Sequence, residues 1–138
     1  MTMTDVVLDA SVAVPLLVSS PVAHRAVSEA LGERSAALAG HALHETYAVL
    51  TRLPGDNRVA PADAVRLLRE RFSSAAVLDA RSVRSAPSVL AAAGVAGGAT
   101  DDGLVALAAR WVGLPLATRD RRAQSTYRLL DAPVEILG

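Results

Sequence analysis

Four acidic residues occupy positions in this sequence where a carboxylate is costly unless it has a partner. Asp9 ends the apolar run at residues 6–8, Asp120 follows another apolar run, and Glu45 and Asp101 lie in alanine- and leucine-rich stretches. An unpaired carboxylate on an apolar face is strongly destabilising, and the chain offers few buried cations to pair with it. Carboxylate oxygens in this number suit Mg²⁺ or Mn²⁺ better than zinc. Such ions can activate water and stabilise a displacement at phosphorus, so the residues predict a metal site for phosphoryl chemistry.

Asp101 has an acidic neighbour, Asp102, and only one of the two is expected to face the interior. If the segment is helical, Asp101 shares a face with Leu104, Val105 and Ala108. Asp102 shares its face with a smaller and less apolar set. The spacing therefore predicts that Asp101 points inward and Asp102 lies at the rim, while a role for Asp102 as an additional ligand stays open.

The elements that would position these acids alternate between short aliphatic runs and longer helical ones. This alternation is typical of an α/β domain with a parallel sheet. Ligands bind such sheets at the carboxyl ends of the strands, where Asp9 and Asp120 fall. The predicted strands are residues 6–9, 36–39, 75–78, 116–118 and, at an edge, 134–137. The predicted helices are residues 11–18, 21–31, 41–53, a segment opened by Pro61, 85–93 and 101–112, the last capped by Thr100.

Composition limits the classes of protein to consider. With 138 residues, of which 51% are hydrophobic, residues 1–138 are expected to form one folded domain. The absence of cysteine excludes disulfides and thiolate metal sites, and no apolar run is long enough for a membrane span, so we expect a cytoplasmic protein. Fourteen arginines balance 14 acidic residues and there is no lysine, so bulk charge does not indicate nucleic-acid binding.

The order and spacing of four motifs then resemble those of a known family. The motifs are Val7-Leu8-Asp9-Ala10-Ser11, His44-Glu45-Thr46-Tyr47, Asp101-Asp102-Gly103-Leu104-Val105 and Leu116-Ala117-Thr118-Arg119-Asp120. Together they resemble the motifs of PIN-domain ribonucleases, and among these the VapC toxins of type II toxin–antitoxin systems. The resemblance implies a three-layer α/β/α fold with a central parallel sheet and Mg²⁺- or Mn²⁺-dependent endonuclease activity on RNA. It also implies a VapB-type antitoxin that blocks the site, and a homodimer.

Carried over to this chain, the resemblance places Asp9, Glu45, Asp101 and Asp120 on the acidic quartet of the family. Ser11 and Thr118 match its small hydroxyl positions, where they could bond a ligand, a water or a neighbouring carboxylate. The chain departs from the family at Asp102, because a small residue usually follows the third acid. That departure leaves the identity of the third acid open.

Several other residues could support or compete with this interpretation. Arg119 and Arg122 flank Asp120 and could hold a phosphate, or could belong to a charged loop. Trp111 is expected in the core. A catalytically weak PIN-like module that binds a partner protein is the alternative function. Phosphotransfer families are disfavoured, because Ser11 stands where haloacid-dehalogenase-type phosphatases have a second Asp, and receiver domains need a lysine.

Overall fold

The centre of the fold is a five-stranded sheet in which every pairing is parallel. The computed structural model describes residues 3–18 and 20–138. The strand order is β3-β2-β1-β4-β5, with β1 in the middle. The strands are β1 Val6–Leu8, β2 Ala36–Ala39, β3 Ala75–Ala76, β4 Leu116–Thr118 and β5 Val134–Ile136. All three β1 residues are fully buried, as expected for a strand covered by helices on both faces.

Helices connect the strands and form the outer layers of a three-layer α/β/α arrangement. They are α1 Ala10–Val18, α2 Pro21–Leu31, α3 Gly40–Arg52, α4 Pro61–Arg71, α5 Ala80–Ala92, α6 Thr100–Val112 and α7 Ala123–Leu129. The core joins β1, β2 and β4 to residues of α1 and α6 that are almost wholly buried. The predicted fold class is therefore confirmed. Within the described ranges, no helix is both long enough and apolar enough to cross a membrane.

The strand order reverses at β1, and this reversal positions the acids. The chain passes from β1 to β2 on one side and returns later to β4 on the other side. In open parallel sheets a crevice forms at such a reversal, outside the carboxyl ends of the two strands. Leu8 pairs with Ala117, so the ends of β1 and β4 lie side by side. Asp9 and Asp120 follow these strand ends and therefore flank the crevice.

The structure corrects several local predictions. Strand β3 contains only Ala75 and Ala76, because the backbone leaves the sheet after them. Helix α5 begins at Ala80, five residues before the predicted start, because the Asp79 side chain accepts a hydrogen bond from the backbone N–H of Ser82 and caps it. The prediction that Thr100 caps α6 is wrong, since Thr100 is the first residue of that helix. Helix α7 was not predicted as a separate element.

The prediction that Trp111 belongs to the core is also wrong. Its side chain is 55% exposed, on a shallow surface pocket that Val89 and Leu107 also line. Trp111 lies in the last turn of α6, where the helix has passed beyond the sheet. The spacing of apolar residues along a helix does not indicate where the helix leaves the core.

Candidate functional site

Asp9 is the most enclosed acid of the site, and its carboxylate is held from two directions. It is one of the few buried charged side chains, with 5% of its surface exposed. Its Oδ1 accepts hydrogen bonds from the backbone N–H of Ser11 at 3.0 Å and from the Ser11 hydroxyl at 2.5 Å. Its Oδ2 accepts a hydrogen bond from the Tyr127 hydroxyl at 2.8 Å. These three hydrogen bonds fix the orientation of the carboxylate.

Ser11 and Thr118 connect the end of β1 to the end of β4. The Ser11 hydroxyl lies 3.2 Å from that of Thr118 and accepts the backbone N–H of Arg119 at 2.7 Å. The backbone N–H of Asp120 donates to Thr118 Oγ1 at 3.0 Å. Because an ionised carboxylate cannot donate, the Ser11 proton must point to Asp9, so the Thr118 proton points to Ser11. The two hydroxyls thus form a directed chain of hydrogen bonds beneath the acids.

Asp120 lies at the rim of the crevice and is held by the turn that follows β4. Its Oδ1 accepts the backbone N–H of Arg122 at 2.9 Å, and the Arg122 Nε lies 3.7 Å from the same oxygen. The Asp120 side chain is 37% exposed and that of Arg122 is 96% exposed. Asp120 is thus a turn residue whose carboxylate is partly exposed. The long, exposed side chain of Arg122 lies beside it and can reach a ligand.

The prediction that Asp101 is the inward acid of its pair is wrong. The Asp101 side chain is 72% exposed and its Oδ1 lies 3.0 Å from His41 Nε2. Asp102 is instead partly buried beside the other acids. Burial, followed by the charges of Glu45, Asp120 and Asp9, raises the pKa of Asp102 to about 6. The structure therefore gathers Asp9, Glu45, Asp102 and Asp120 into one cluster.

Glu45 reaches the cluster from α3, although its residue surface is largely exposed. Burial of its carboxyl, followed by the charge of Asp9, raises the pKa of Glu45, and His41 opposes the shift. Glu45 and Asp9 therefore lie close enough for their charges to interact.

The arrangement of these acids suits a divalent cation that keeps several of its waters better than a cation surrounded by protein ligands on all sides. Within residues 3–18 and 20–138, no three acidic or histidine side chains already converge on a single metal position. Mg²⁺ retains several waters and is usually held by one or two carboxylates, so convergence of three is not required. The pKa values of Asp102 and Glu45 are raised first by burial and then by the charges of neighbouring acids. A divalent cation would relieve that repulsion.

Two residues of the site were missed by the sequence analysis. Tyr127 is almost wholly buried on α7 and contacts Asp9 across 118 positions of sequence. Its helix could have been found from the apolar spacing of Ala123, Tyr127 and Leu130, but its contact with Asp9 had no sequence signal. Thr46, next to Glu45, is fully buried and its hydroxyl lacks a hydrogen-bond partner among the described residues.

Arg119 is positioned differently from Arg122. Its Nε is buried and lacks a hydrogen-bond partner within the described ranges, and its guanidinium lies beside Gly138. The backbone N–H of Arg119, and not its side chain, makes the contact with Ser11. Of the two arginines, Arg122 is therefore the one with a freely accessible charge next to the acids.

Sequence comparison places the same stretch of chain in a known family. The PIN domain family matches residues 6–129. The chain is 52% identical over 129 residues to Ribonuclease VapC27 of Mycobacterium tuberculosis (strain ATCC 25618 / H37Rv), covering 94% of each protein. It is 44% identical over 115 residues to Ribonuclease VapC40 of the same strain, covering 83% of this chain and 85% of that protein.

Solved structures agree on the fold. FitAcB from Neisseria gonorrhoeae matches with a TM-score of 0.67 at 19% identity, covering 94% of this chain and 95% of the other. FitAB bound to an IR36 DNA fragment matches with a TM-score of 0.67 at 18% identity, covering 95% and 94%. At these identities the likeness concerns the fold alone. The family match and the extent of sequence identity together show that this chain belongs to the PIN-domain family, as a VapC-like member.

Proposed function

We propose that this protein is an endoribonuclease toxin that cleaves RNA phosphodiesters with a divalent cation, Mg²⁺ or alternatively Mn²⁺. One observation carries the proposal: four acids from distant parts of the chain meet where the strand order reverses, and burial together with neighbouring acids raises the pKa of two of them, Glu45 and Asp102. Such clusters of perturbed carboxyls are typical of functional sites. The ribonuclease names of relatives with 52% and 44% identity support RNA as the substrate class.

In this proposal the third acid is Asp102 and not Asp101. Asp102 has the burial and the acidic neighbours that a ligand position requires, whereas Asp101 is paired with His41. The assignment also removes the departure from the family pattern, because the residue that follows the third acid is then Gly103. The proposed ligands are therefore Asp9, Glu45, Asp102 and Asp120.

Each part of the site has a distinct role in hydrolysis. A bound divalent cation supplies an activated water and stabilises negative charge at phosphorus. Asp9, held by Ser11 and Tyr127, would anchor the cation, and Glu45 and Asp102 would orient water or accept its proton. The pKa of Asp102, which burial and neighbouring acids raise to about 6, would suit proton transfer near neutral pH. The exposed Arg122 can contact a phosphate of the RNA backbone.

The relatives also support a partner for the protein. VapC proteins are the toxin halves of the systems that the resemblance implies, and the FitAB structure is of a complex on DNA. We infer that a VapB-like antitoxin covers the acidic cluster, that the toxin is a homodimer and that it acts in the cytoplasm. A partner-binding module without catalysis is not favoured, because such a module gains nothing from concentrated, mutually repelling acids.

The decisive experiment is cleavage of total RNA by purified protein with and without a divalent cation. We expect cleavage with Mg²⁺ or Mn²⁺, none with a chelator, and restoration when the ion is returned. Asp9→Asn should lose on the order of a hundredfold or more in rate while its circular dichroism stays unchanged. Asp131→Asn is the matched control, since Asp131 is an exposed acid in the turn after α7. Full cleavage in the presence of chelator would refute the proposal.

A further inference from the structure

The hydrogen bonds to Asp9 occupy most of the acceptor positions of its carboxylate. An ionised carboxylate offers about four acceptor positions, two on each oxygen. Ser11 occupies both positions on Oδ1, through its backbone N–H at 3.0 Å and its hydroxyl at 2.5 Å. Tyr127 occupies one position on Oδ2 at 2.8 Å. One position, on Oδ2, is therefore left for a ligand.

Tyr127 is built into the fold in a way that keeps this bond. Its side chain is among the largest that are wholly buried, in a helix that packs against α6 and β5. The Tyr127 hydroxyl donates this hydrogen bond to Asp9 Oδ2 at 2.8 Å, and an ionised carboxylate can only accept it. Water cannot replace the bond without opening the core.

We propose that Tyr127 is a positioning residue that fixes the orientation of Asp9 and leaves only one Oδ2 position free to bind the divalent cation. The proposal rests on the proposed function in one respect, since it takes Asp9 to be a cation ligand. It adds that α7, an element outside the four acidic motifs, completes the site. Tyr127 touches neither cation nor RNA in this scheme and acts through Asp9.

Two consequences separate this role from ordinary packing. When a cation binds Asp9, it withdraws charge from the carboxylate, so the hydrogen bond from Tyr127 must weaken. If the bond is removed, Asp9 gains rotational freedom and the cation binds less tightly. Second-sphere hydrogen bonds to metal ligands are typically worth about 10- to 100-fold in affinity.

The first test observes Tyr127 directly in the unmodified protein. The chain has two tyrosines, so tyrosine isotopically labelled at Cζ gives two resonances, which Tyr47→Phe assigns. During a Mg²⁺ titration without RNA, we expect a saturable shift at Tyr127 that follows the binding curve from calorimetry. Tyr47 lies on α3 and is 36% exposed, so its resonance serves as the internal control and should stay in place. Mg²⁺ binding with no shift at Tyr127 would overturn the proposal.

The second test uses Tyr127→Phe, which removes one oxygen and retains the ring. We expect Mg²⁺ and Mn²⁺ to bind about tenfold more weakly by calorimetry, at a temperature where both proteins are fully folded. At saturating cation the KM for RNA should change little, because Tyr127 does not contact the substrate. Tyr47→Phe should bind the cation like the unmodified protein. A Tyr127→Phe variant that unfolds more readily but binds the cation with unchanged affinity would show a purely structural role and refute the proposal.

The two tests distinguish failure of this inference from failure of the proposed function. Mg²⁺ binding that shifts Tyr127, without any RNA cleavage, would support the inference and overturn the proposed function. Chelator-sensitive RNA cleavage with an unresponsive Tyr127 and unchanged affinity in Tyr127→Phe would do the opposite. The tyrosine resonance needs no folded variant, so it decides the inference even if Tyr127→Phe fails to fold.

Discussion

Asp101 and Asp102 are neighbours in sequence but differ by about 100° around the axis of α6. That rotation takes Asp101 out to solvent beside His41 and brings Asp102 toward Asp9 and Glu45. The pair therefore provides a built-in comparison of two chemically identical residues. One has the surroundings of a metal ligand and the other has those of a surface acid.

Replacing each acid by asparagine tests this assignment. We expect Asp102→Asn to lower RNA cleavage on the order of a hundredfold and to weaken cation binding, because a ligand charge is lost. Asp101→Asn should change cleavage by less than about threefold, since it removes only a solvent-screened contact with His41. Cleavage rates at saturating Mg²⁺ and calorimetric affinities measure both effects. A larger loss in Asp101→Asn than in Asp102→Asn would reverse the assignment.

The sequence could predict which acids and hydroxyls lie at the carboxyl ends of β1 and β4, but not which of two adjacent acids faces inward. Strand ends and motif order were enough to select Asp9, Asp120, Ser11 and Thr118. The choice at α6 relied on apolar spacing, and that helix is buried on most of its circumference from Val105 to Ala109. When nearly every side of a helix is apolar, its hydrophobic pattern cannot indicate which side faces a polar site.

At the scale of elements, prediction succeeded where burial is uniform and failed where it changes along the element. Strands β2 and β4 were predicted with their observed bounds because each is a short apolar run between breaking residues. Trp111 was misassigned because α6 leaves the core in its last turn. Helix α7 was not predicted, because the arginines that precede it are also typical of a charged loop. It nevertheless supplies Tyr127. Long-range contacts of this kind have no local signature in one sequence.

Gly103 shows how closely two of these elements pack. A Cβ atom at this position would lie 2.5 Å from Leu90 Cδ2 on α5 and 3.3 Å from Val95 Cγ1. Both neighbours are buried, so neither can move aside without repacking. The absence of a side chain at Gly103 therefore allows α6 to lie close against α5.

Gly103→Ala tests whether this close approach is required. Alanine favours the helix by about 1 kcal/mol, but overpacking costs about 1–3 kcal/mol, so we expect net destabilisation of about 1 kcal/mol. Urea unfolding measures the change. In a Leu90→Ala background the clashing atom is absent, and the same substitution should become neutral or stabilising. Gly98→Ala, at a position with open space, is the control. Equal effects in both backgrounds would contradict the packing explanation.

At the scale of the whole molecule, two sets of charges affect stability in opposite directions as pH changes. Arg34, after α2, donates to both carboxylate oxygens of Glu135 on edge strand β5, at 2.6 and 3.0 Å. The hydrogen bonds from Arg34 lower the pKa of Glu135. In the first turn of α6, burial and the charges of neighbouring acids raise the pKa of Asp102. The fold thus gains from one ionised acid and is destabilised by another.

These shifts predict an optimum in the stability of the metal-free protein near mildly acidic pH. Glu135 has a depressed pKa, so its contribution is present above the unfolded value of 4.5 and is lost as pH falls below it. Asp102 has a raised pKa, so its penalty is absent below the unfolded value of 3.8 and complete above about 6. Stability should therefore be highest at about pH 4, below which the Glu135 contribution is lost and above which the Asp102 penalty grows.

Chemical unfolding in the presence of chelator, at pH values from about 3 to 8, separates the contribution of Glu135 from that of Asp102. Asp102→Asn should stabilise the metal-free protein at neutral pH by roughly 1–2 kcal/mol after allowance for solvent screening, and should flatten the neutral side of the curve. Glu135→Gln should cost about 0.5 kcal/mol at neutral pH, because its ion pair is partly open to solvent, and less as the pH falls below 4.5. Mg²⁺ at a concentration that saturates the unmodified protein should stabilise it more than it stabilises Asp102→Asn, because stabilisation by a ligand of the folded state grows with the affinity. If Asp102→Asn were instead less stable than the unmodified protein at neutral pH without metal, repulsion within the cluster would not be the dominant charge effect in this fold.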